Sequence, residues 1–258
     1  MATASRGQFV WYENLTPDVR ASIAFYTDVL GWKTQPFGGG GEEYVMWVGS
    51  QGPLGGVMEL PEEARKAGAP PHWMTHVQVD DVDATTTLVK KLGGKVYKEP
   101  TDIPTVGRFA VLADPQGAPF SAFKPSQAMT LHDSTKEGEF CWNELMTSDS
   151  AAAFRFYSEV FGWKILEEMD MGPSGTYRVF GIGDTRLGGM ITTPKGAPMP
   201  PMWLFYAETS DLDAALGRAT KKGAKVLNGP MEVPGGGRIV QLMDPQGAPF
   251  ALHQSARK

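Results

Sequence analysis

The heptapeptide DPQGAPF occurs twice in the chain, at Asp114–Phe120 and at Asp244–Phe250, and this repeat decides how the sequence is divided. Upstream of the two copies, FVWYENLTPDVRASIAFYTDVLGWK at Phe9–Lys33 matches FCWNELMTSDSAAAFRFYSEVFGWK at Phe140–Lys164. The copies lie about 130 residues apart, which is the length of a domain and too long for one unit of a solenoid. The sequence is therefore a tandem duplication.

The duplication predicts two homologous domains. We predict the first over residues 1–126, a linker over residues 127–139 and the second over residues 140–258. The linker sequence QAMTLHDSTKEGE is polar and falls in the gap between the two copies, as expected of a domain boundary. A chain of 258 residues is long enough to form two hydrophobic cores.

The composition excludes several classes of protein. The formal net charge is −5 at pH 7 and there is no basic run, so we expect no nucleic-acid partner. No stretch reaches the ~20 apolar residues of a membrane span, so we expect no membrane association. The N-terminal residues lack the apolar core of a signal peptide, and the single cysteine, Cys141, cannot form an intramolecular disulfide. We therefore expect a cytoplasmic protein with a small-molecule ligand.

Each half of the sequence predicts two units of a strand, a helix and several short strands, which is an α+β arrangement. For the first helix, Thr16 is the predicted N-cap and Pro17 the first helical residue, and Gly31 follows the helix as a left-handed residue. The adjacent pair Phe25-Tyr26 falls on the apolar face of this helix, so we predict that it packs in the core.

These motifs carry a resemblance to a known family. The pattern D-x(6)-FY-x(2)-V-[LF]-GW, followed by DDVDA and DPQGAPF, resembles the vicinal oxygen chelate superfamily, which includes glyoxalase I, bleomycin-resistance proteins and extradiol dioxygenases. The resemblance implies paired βαβββ modules, whose mainly antiparallel sheets form a cup with helices outside. It also implies that a ligand sits in the cup of each domain and that the two domains pair within the chain like a fused homodimer.

The resemblance further implies where a metal would be held, and the residues at those positions are unsuitable. The six positions are occupied by Trp11, Met74 and Ser121 in the first half and by Trp142, Leu204 and Ala251 in the second. Five of these side chains cannot ligate a hard divalent cation and a lone serine is a poor ligand. We therefore expect no cofactor at these positions, while a divalent metal elsewhere stays open.

A displaced site is the alternative, because a side chain two residues further along a strand returns to the same face. That step leads to Glu13, His76 and Phe123 in the first half and to Glu144, Tyr206 and His253 in the second. Glu13, Glu59 and His76 together are the weak candidates for a metal triad. The simpler interpretation is that these three residues lie at strand ends near solvent or bond each other.

Two residue types recur at equivalent points of the repeat. Glu13 and Glu144 are candidate catalytic bases, since a carboxylate facing an apolar cup has a raised pKa, although a structural role as hydrogen-bond acceptors is the alternative. Trp11 and Trp142 either line the cups or fill them. Cys141 falls where the first copy has Val10, which favours a structural role for the thiol.

The sequence thus leaves three functions open. The first is a metal-free protein that binds a small aromatic or amphipathic molecule in its cups. The second is a metal-dependent lyase, isomerase or dioxygenase with a displaced Glu/His site, and the third is a structural or interaction protein with closed cups. For the first, the predicted ligand-binding residues are Trp11, Met74, His76, Ser121, Phe123, Trp142, Leu204, Tyr206 and His253.

Overall fold

The computed structural model of the chain describes residues 2–38, 44–196 and 199–256. The helices are α1 (Val19–Leu30), α2 (Glu62–Lys66), α3 (Val82–Lys91), α4 (Ser150–Phe161) and α5 (Leu212–Lys221). The strands are β1 (Phe9–Thr16), β2 (Lys33–Pro36), β3 (Val45–Gly49), β4 (Gly52–Glu59), β5 (His72–Gln78), β6 (Lys95–Ile103), β7 (Gly107–Ala113), β8 (Pro119–Pro125), β9 (Phe140–Thr147), β10 (Lys164–Asp170), β11 (Thr176–Ile182), β12 (Thr185–Thr192), β13 (Met202–Glu208), β14 (Lys225–Glu232), β15 (Arg238–Met243) and β16 (Pro249–Gln254).

These elements form four βαβββ modules, two in each half of the sequence. They begin at β1, β5, β9 and β13, and each contains one long helix followed by three strands. In every module the last three strands form an antiparallel meander, and the first strand runs parallel to the last. The strands belong to two sheets of eight, β1–β8 and β9–β16, and the long helices pack outside them. The prediction of an α+β fold with mainly antiparallel sheets is confirmed.

The residue contacts divide the chain into two compact units. The α1/α5 unit comprises residues 11–73, 132–141 and 205–258, and the α3/α4 unit comprises residues 1–10, 74–131 and 142–204. Each unit therefore combines one module from each half of the sequence, and the two tandem domains pair within the chain in this way. The boundaries predicted at residues 126 and 140 describe the repeat of the sequence, whereas the contacts group the modules across it.

In the α3/α4 unit, the DPQG turn between β7 and β8 holds the start of α4. The Oδ1 atom of the buried Asp114 accepts the backbone N–H groups of residues 116, 117 and 118 at 2.8–3.0 Å, and its Oδ2 atom accepts the Tyr157 hydroxyl at 3.2 Å. The Gln116 side chain accepts the N–H of Asp149 at 2.6 Å and donates to the Asp149 carbonyl at 2.8 Å. A turn encoded in the first half thus fixes a helix encoded in the second.

The α1/α5 unit repeats this arrangement with the halves exchanged. Asp244, in the turn between β15 and β16, accepts the hydroxyl of the buried Tyr26 in α1 at 3.0 Å. Gln246 accepts from the Thr16 hydroxyl at 2.5 Å and from the Asp18 N–H at 2.9 Å. The Trp73 indole N–H donates to the same Tyr26 hydroxyl at 2.8 Å, which joins the turn to an aromatic core.

The predicted start of the first helix is wrong by two residues. The N-cap is Asp18, which has an extended backbone and accepts the Ala21 N–H at 3.0 Å. Thr16 is instead the last residue of β1, where it pairs with Glu59 of β4, and its hydroxyl donates to Gln246 from the other half of the sequence. The prediction for Gly31 is confirmed, since it follows α1 with φ of 70°, in the left-handed region.

Aromatic side chains fill both cores. In the α1/α5 unit, Tyr26 contacts the rings of Trp32, Trp47 and Trp73. The Phe25-Tyr26 pair is buried, as predicted from its position on the helix. Within the described residues, no helix has both the length and the apolar character needed to cross a membrane.

We predict that the Asp114–Tyr157 interaction stabilises the α3/α4 unit. Tyr157→Phe removes two hydrogen bonds of the hydroxyl, to Asp114 and from Trp203, and should lower the free energy of unfolding by about 1–2 kcal/mol. Asp114→Ala should lower it by about 3 kcal/mol or more, because it leaves several donors without their acceptor. Urea unfolding followed by circular dichroism measures both values.

The control for this pair is Asp83→Ala, which removes an exposed partner of Arg108. An exposed ion pair contributes little, so the unfolding midpoint should stay nearly unchanged. Equal losses for Asp83→Ala and Asp114→Ala would contradict the role assigned to the turn.

Candidate functional site

A hydrogen-bonded chain of three side chains lies at the start of β1 in the α1/α5 unit. Trp11 and Glu13 point to the same face of β1 because they are two residues apart. The Trp11 indole N–H donates to the Tyr44 hydroxyl at 2.8 Å, and that hydroxyl donates to Oε2 of Glu13 at 2.9 Å. We call this arrangement the Trp–Tyr–Glu chain.

The α3/α4 unit contains the same chain on β9. The Trp142 indole N–H donates to the Tyr177 hydroxyl at 2.8 Å, and this hydroxyl donates to Oε2 of Glu144 at 2.9 Å. Glu144 is buried while Trp142 keeps part of its surface exposed. The tyrosines were not among the residues predicted from the sequence, since Tyr44 and Tyr177 follow stretches that differ between the two copies.

Two glycines make room for the Trp–Tyr–Glu chains. Gly56 of β4 is the register partner of Glu13, and Gly189 of β12 is the register partner of Glu144. A Cβ atom on Gly56 would overlap the Tyr44 hydroxyl, and one on Gly189 would overlap the Tyr177 ring and hydroxyl. A Leu-Gly-Gly motif recurs in both halves, at residues 54–56 and 187–189, and its second glycine therefore has a steric cause.

Both tyrosines are held as neutral phenols. Burial raises the pKa of Tyr44 and Tyr177 well above the usual value, and the nearby carboxylates of Glu13 and Glu144 raise it further. The bonds from Trp11 and Trp142 act in the opposite direction but are outweighed. Each hydroxyl is consequently a fixed donor to its carboxylate across the physiological pH range.

The predicted ligand-binding residues differ in how far solvent reaches them. Trp11, Trp142 and His253 are partly exposed. The other six are buried, and they are Met74, His76, Ser121, Phe123, Leu204 and Tyr206. His76 packs near the rings of Phe109 and Phe123 in the α3/α4 unit. The Tyr206 hydroxyl accepts a hydrogen bond from Nε2 of Gln241 at 2.7 Å.

The positions at which the family resemblance implies metal ligands do not fit a hard metal ion. The indole nitrogens of Trp11 and Trp142 are hydrogen-bond donors to tyrosines, and an indole N–H has no lone pair to offer a cation. Leu204 and Ala251 are buried apolar side chains. No catalytic step is therefore assigned to a metal at these positions.

Strand register separates Glu59 from Glu13. Residues in register on parallel strands share a face, and Glu13 is paired with Gly56 whereas Glu59 is paired with Thr16. Glu59 lies three residues beyond Gly56, so it points to the opposite face of β4, and it is exposed. The structure therefore does not bring Glu59 and Glu13 into one metal triad.

A different group of side chains meets at the end of β13. The ligand atoms of Cys141, Glu208 and His253 lie within 4.8 Å of one another in the α1/α5 unit. Nδ1 of His253 is 2.5 Å from Oε2 of Glu208, and the Ser255 N–H donates to Oε1 of Glu208 at 2.9 Å. The Cys141 thiol donates to the Tyr206 carbonyl at 3.3 Å. We call these three residues the Cys–Glu–His cluster.

The charges in this cluster are coupled. Burial and the negative charge of Glu208 raise the pKa of the Cys141 thiol. Burial acts to raise the pKa of Glu208 as well, but hydrogen bonds from His253 and Ser255 outweigh it and hold that pKa below its usual value. The cluster therefore holds a neutral thiol beside an ionised carboxylate.

Sequence reasoning did not identify Glu208, and it did not bring His253 together with Cys141. His253 and Glu208 are register partners on the parallel strands β16 and β13. Their contact depends on the pairing of these strands, which no local sequence motif predicts. The one available signal was that Glu208 follows Tyr206 by two residues and therefore shares its face.

Comparison with known families agrees with the fold and the repeat. Residues 8–121 and 140–252 both match the model of the Glyoxalase/Bleomycin resistance protein/Dioxygenase superfamily. The chain belongs to this superfamily, and it carries two tandem copies of the family's domain.

Full-length relatives cover nearly the whole chain. CFP32 of Mycobacterium tuberculosis (strain CDC 1551 / Oshkosh), which carries a glyoxylase name, is 33% identical over 248 residues, covering 95% of this chain and 94% of that protein. Anthracycline biosynthesis protein DnrV of Streptomyces peucetius is 31% identical over 264 residues, covering 98% of this chain and 94% of that protein.

Solved structures share the fold at low sequence identity. The Mn(II)-bound glyoxalase from Novosphingobium aromaticivorans superposes with a TM-score of 0.66 at 17% identity, covering 98% of this chain and 84% of that one. The 2,2',3-trihydroxybiphenyl 1,2-dioxygenase from Sphingomonas wittichii strain RW1 superposes with a TM-score of 0.65 at 14% identity, covering 99% and 92%. At these identities the likeness concerns the fold alone.

We predict that the Trp–Tyr–Glu chains require glycine beside the carboxylates. Gly56→Ala and Gly189→Ala should each lower the free energy of unfolding by about 1–3 kcal/mol, because the added methyl group displaces a half-buried, hydrogen-bonded tyrosine. Chemical denaturation measures the loss, and near-ultraviolet circular dichroism reports the displaced aromatic rings.

Gly217→Ala is the matched control. Gly217 is exposed within α5, and a Cβ atom there meets no heavy atom within 4 Å. This substitution should stabilise the protein by about 0.5–1 kcal/mol, since alanine favours the helix. If Gly56→Ala stabilised the protein to the same extent, the steric argument would be wrong.

Proposed function

We propose that this protein binds a small planar aromatic or amphipathic molecule at Trp11 and Trp142, with no metal at the positions that metal-using members of the superfamily employ. The observation that carries the proposal is the Trp–Tyr–Glu chain. Its indole is partly exposed while its carboxylate is buried. The hydrogen bonds to the tyrosine and the buried glutamate therefore hold an aromatic surface in a fixed orientation toward solvent.

The anchoring suits a ligand that stacks. An indole whose N–H is already engaged loses little rotational freedom when a planar molecule packs against it, so less of the binding free energy is spent on ordering. Because each half of the sequence contains a Trp–Tyr–Glu chain, the proposal implies two equivalent sites in each protein molecule.

One of the two named relatives supports an aromatic ligand class. DnrV is named for anthracycline biosynthesis, and anthracyclines are polycyclic aromatic compounds. CFP32 carries a glyoxylase name, which would point to a metal-assisted lyase. The family's ligand positions are occupied by Trp11, Trp142, Leu204 and Ala251. Because these side chains do not ligate a hard cation, they favour binding of an aromatic molecule over a metal-assisted lyase activity.

In this proposal Glu13 and Glu144 are positioning residues. Each accepts the hydroxyl of a tyrosine that in turn accepts a tryptophan N–H, so the carboxylate acts on a ligand through the orientation of the indole. This is the structural alternative to the catalytic-base hypothesis drawn from the sequence.

The test is calorimetric titration of chelator-treated protein with 1,8-dihydroxyanthraquinone and related planar quinones. We expect saturable binding of two molecules per chain. Trp11→Phe and Trp142→Phe should each weaken one site by about tenfold, because a loss of roughly 1.4 kcal/mol of stacking and anchoring corresponds to that factor.

Tyr97→Ala is the control for adventitious stacking, since Tyr97 is the most exposed of the large apolar side chains described, at 59%. It should leave both sites unchanged. Absence of saturable binding across the quinone series, or binding that survives in the double Trp11→Phe/Trp142→Phe variant, would contradict the proposal.

A second prediction separates positioning from acid–base catalysis at Glu13. Glu13→Gln keeps an oxygen that accepts the Tyr44 hydroxyl, so quinone affinity should stay within about threefold of wild type, whereas Glu13→Ala should weaken the affinity of that site by about tenfold. Titration calorimetry of both variants measures the difference. Equal loss in Glu13→Gln and Glu13→Ala would show that the charge of the carboxylate, rather than its acceptor geometry, is required.

A further inference from the structure

The Cys–Glu–His cluster combines three kinds of metal ligand in one place. Its thiol, carboxylate and imidazole atoms lie within 4.8 Å of one another, and the three residues come from three different strands, β9, β13 and β16. Glu208 is buried, whereas Cys141 and His253 are partly exposed, so an ion from solvent can reach the cluster from the side of these two residues.

The internal repeat provides a comparison for this cluster. The equivalent residues in the first half are Val10, Gln78 and Phe123, all in the α3/α4 unit. Gln78 and Phe123 are register partners on β5 and β8, as Glu208 and His253 are on β13 and β16. The fold therefore forms the same pairing of strands with a valine, an amide and a phenyl ring, and it does not require a thiol, a carboxylate and an imidazole there.

The chemistry of the three groups is that of a site for a borderline-soft divalent cation. Zn²⁺ binds cysteine sulfur at about 2.3 Å and histidine nitrogen or carboxylate oxygen at about 2.0–2.2 Å, with four ligands in a tetrahedron. A thiolate and a carboxylate carry two negative charges and a neutral imidazole adds none, which matches the charge of the ion. Burial of Glu208 strengthens this attraction because the local dielectric is low.

We propose that Cys141, Glu208 and His253 bind one divalent metal ion of the zinc type, with water as the fourth ligand. Binding requires a thiolate and a ring nitrogen that carries no proton, so the Cys141 thiol gives up its proton to solvent and His253 binds as the neutral imidazole through its unprotonated nitrogen. None of the three residues stands at a position where the family resemblance implies a ligand, and Cys141 points to the opposite face of β9 from its neighbour Trp142.

The single cysteine makes the test specific. Cys141 is the only thiol in the sequence, so any thiolate-to-metal charge-transfer band arises from this residue. Full-length, chelator-treated protein is titrated with Co²⁺, which reports thiolate ligation in its near-ultraviolet spectrum, and the bound Co²⁺ is then displaced with Zn²⁺. We expect one Co²⁺ per chain, a charge-transfer band and its loss on addition of Zn²⁺.

Variants that restore the residues of the other repeat are chosen because the fold accommodates them there. Cys141→Val should abolish the band. Glu208→Gln and His253→Phe should weaken Co²⁺ binding by more than about a hundredfold, since removal of even an outer-shell partner costs 10–100-fold. His72→Ala, which changes a histidine outside the cluster, should leave Co²⁺ binding unchanged, and thermal melts confirm that each variant is folded.

Zinc should also raise the unfolding temperature of the wild-type protein and leave that of Cys141→Val unchanged, because a ligand that binds the folded state stabilises it. A spectrum without a thiolate band at saturating Co²⁺ would overturn the proposal, as would stoichiometric binding that persists in Cys141→Val. Quinone binding by Cys141→Val should equal that of wild type, so failure of the metal site and failure of the proposed small-molecule site are distinguishable.

Discussion

The buried carboxylates of Asp114 and Asp244 are the interaction on which the internal order of both units depends. Each accepts backbone N–H groups of its own turn with one oxygen and, with the other, a tyrosine hydroxyl from a helix encoded in the opposite half of the sequence. A buried acceptor of this kind is costly to remove, because its donors cannot turn to water. The recurrence of DPQGAPF is thus explained by packing between modules, and its residues need no role in ligand binding.

The same constraint accounts for the grouping of the modules. Gln116 and Gln246, two residues beyond the aspartates, complete the hydrogen bonding at the starts of α4 and α1. Each turn thus adds hydrogen bonds from the other repeat to a helix start that Asp18 or Asp149 caps from within its own repeat. The duplicated sequence supplies both partners of this interaction between the copies.

Local signals were sufficient for the features that depend on neighbours in sequence. Gly31 ends α1 and the Phe25-Tyr26 pair enters the core because helix geometry alone dictates both. The start of α1 was misplaced because Thr16 ends β1, where it pairs with Glu59 of β4 and donates to Gln246, about 230 residues away in the chain. Patterning within one segment cannot report such a partner.

The candidate site shows the same division between local and distant information. Glu13 and Trp11 were identified because they share a strand and recur in the repeat. Tyr44, which joins them, was missed, since its position is set by the pairing of β3 with β4 and by the space that Gly56 leaves. Glu59 was a candidate because the family resemblance implies a further ligand on its strand, but the sequence does not reveal the register of that strand, and a shift of odd length moves a side chain to the other face.

Comparison of the two copies separates what the fold needs from what one copy has gained. The Trp–Tyr–Glu chain is present in both units with matching hydrogen-bond distances, so it is a property of the module. The Cys–Glu–His cluster is present in one unit, while the other builds the same strand pairing from Gln78 and Phe123. Since neutral side chains satisfy the fold at those positions, the buried charge of Glu208 calls for compensation beyond its hydrogen bonds with His253 and Ser255, and the proposed cation would supply it.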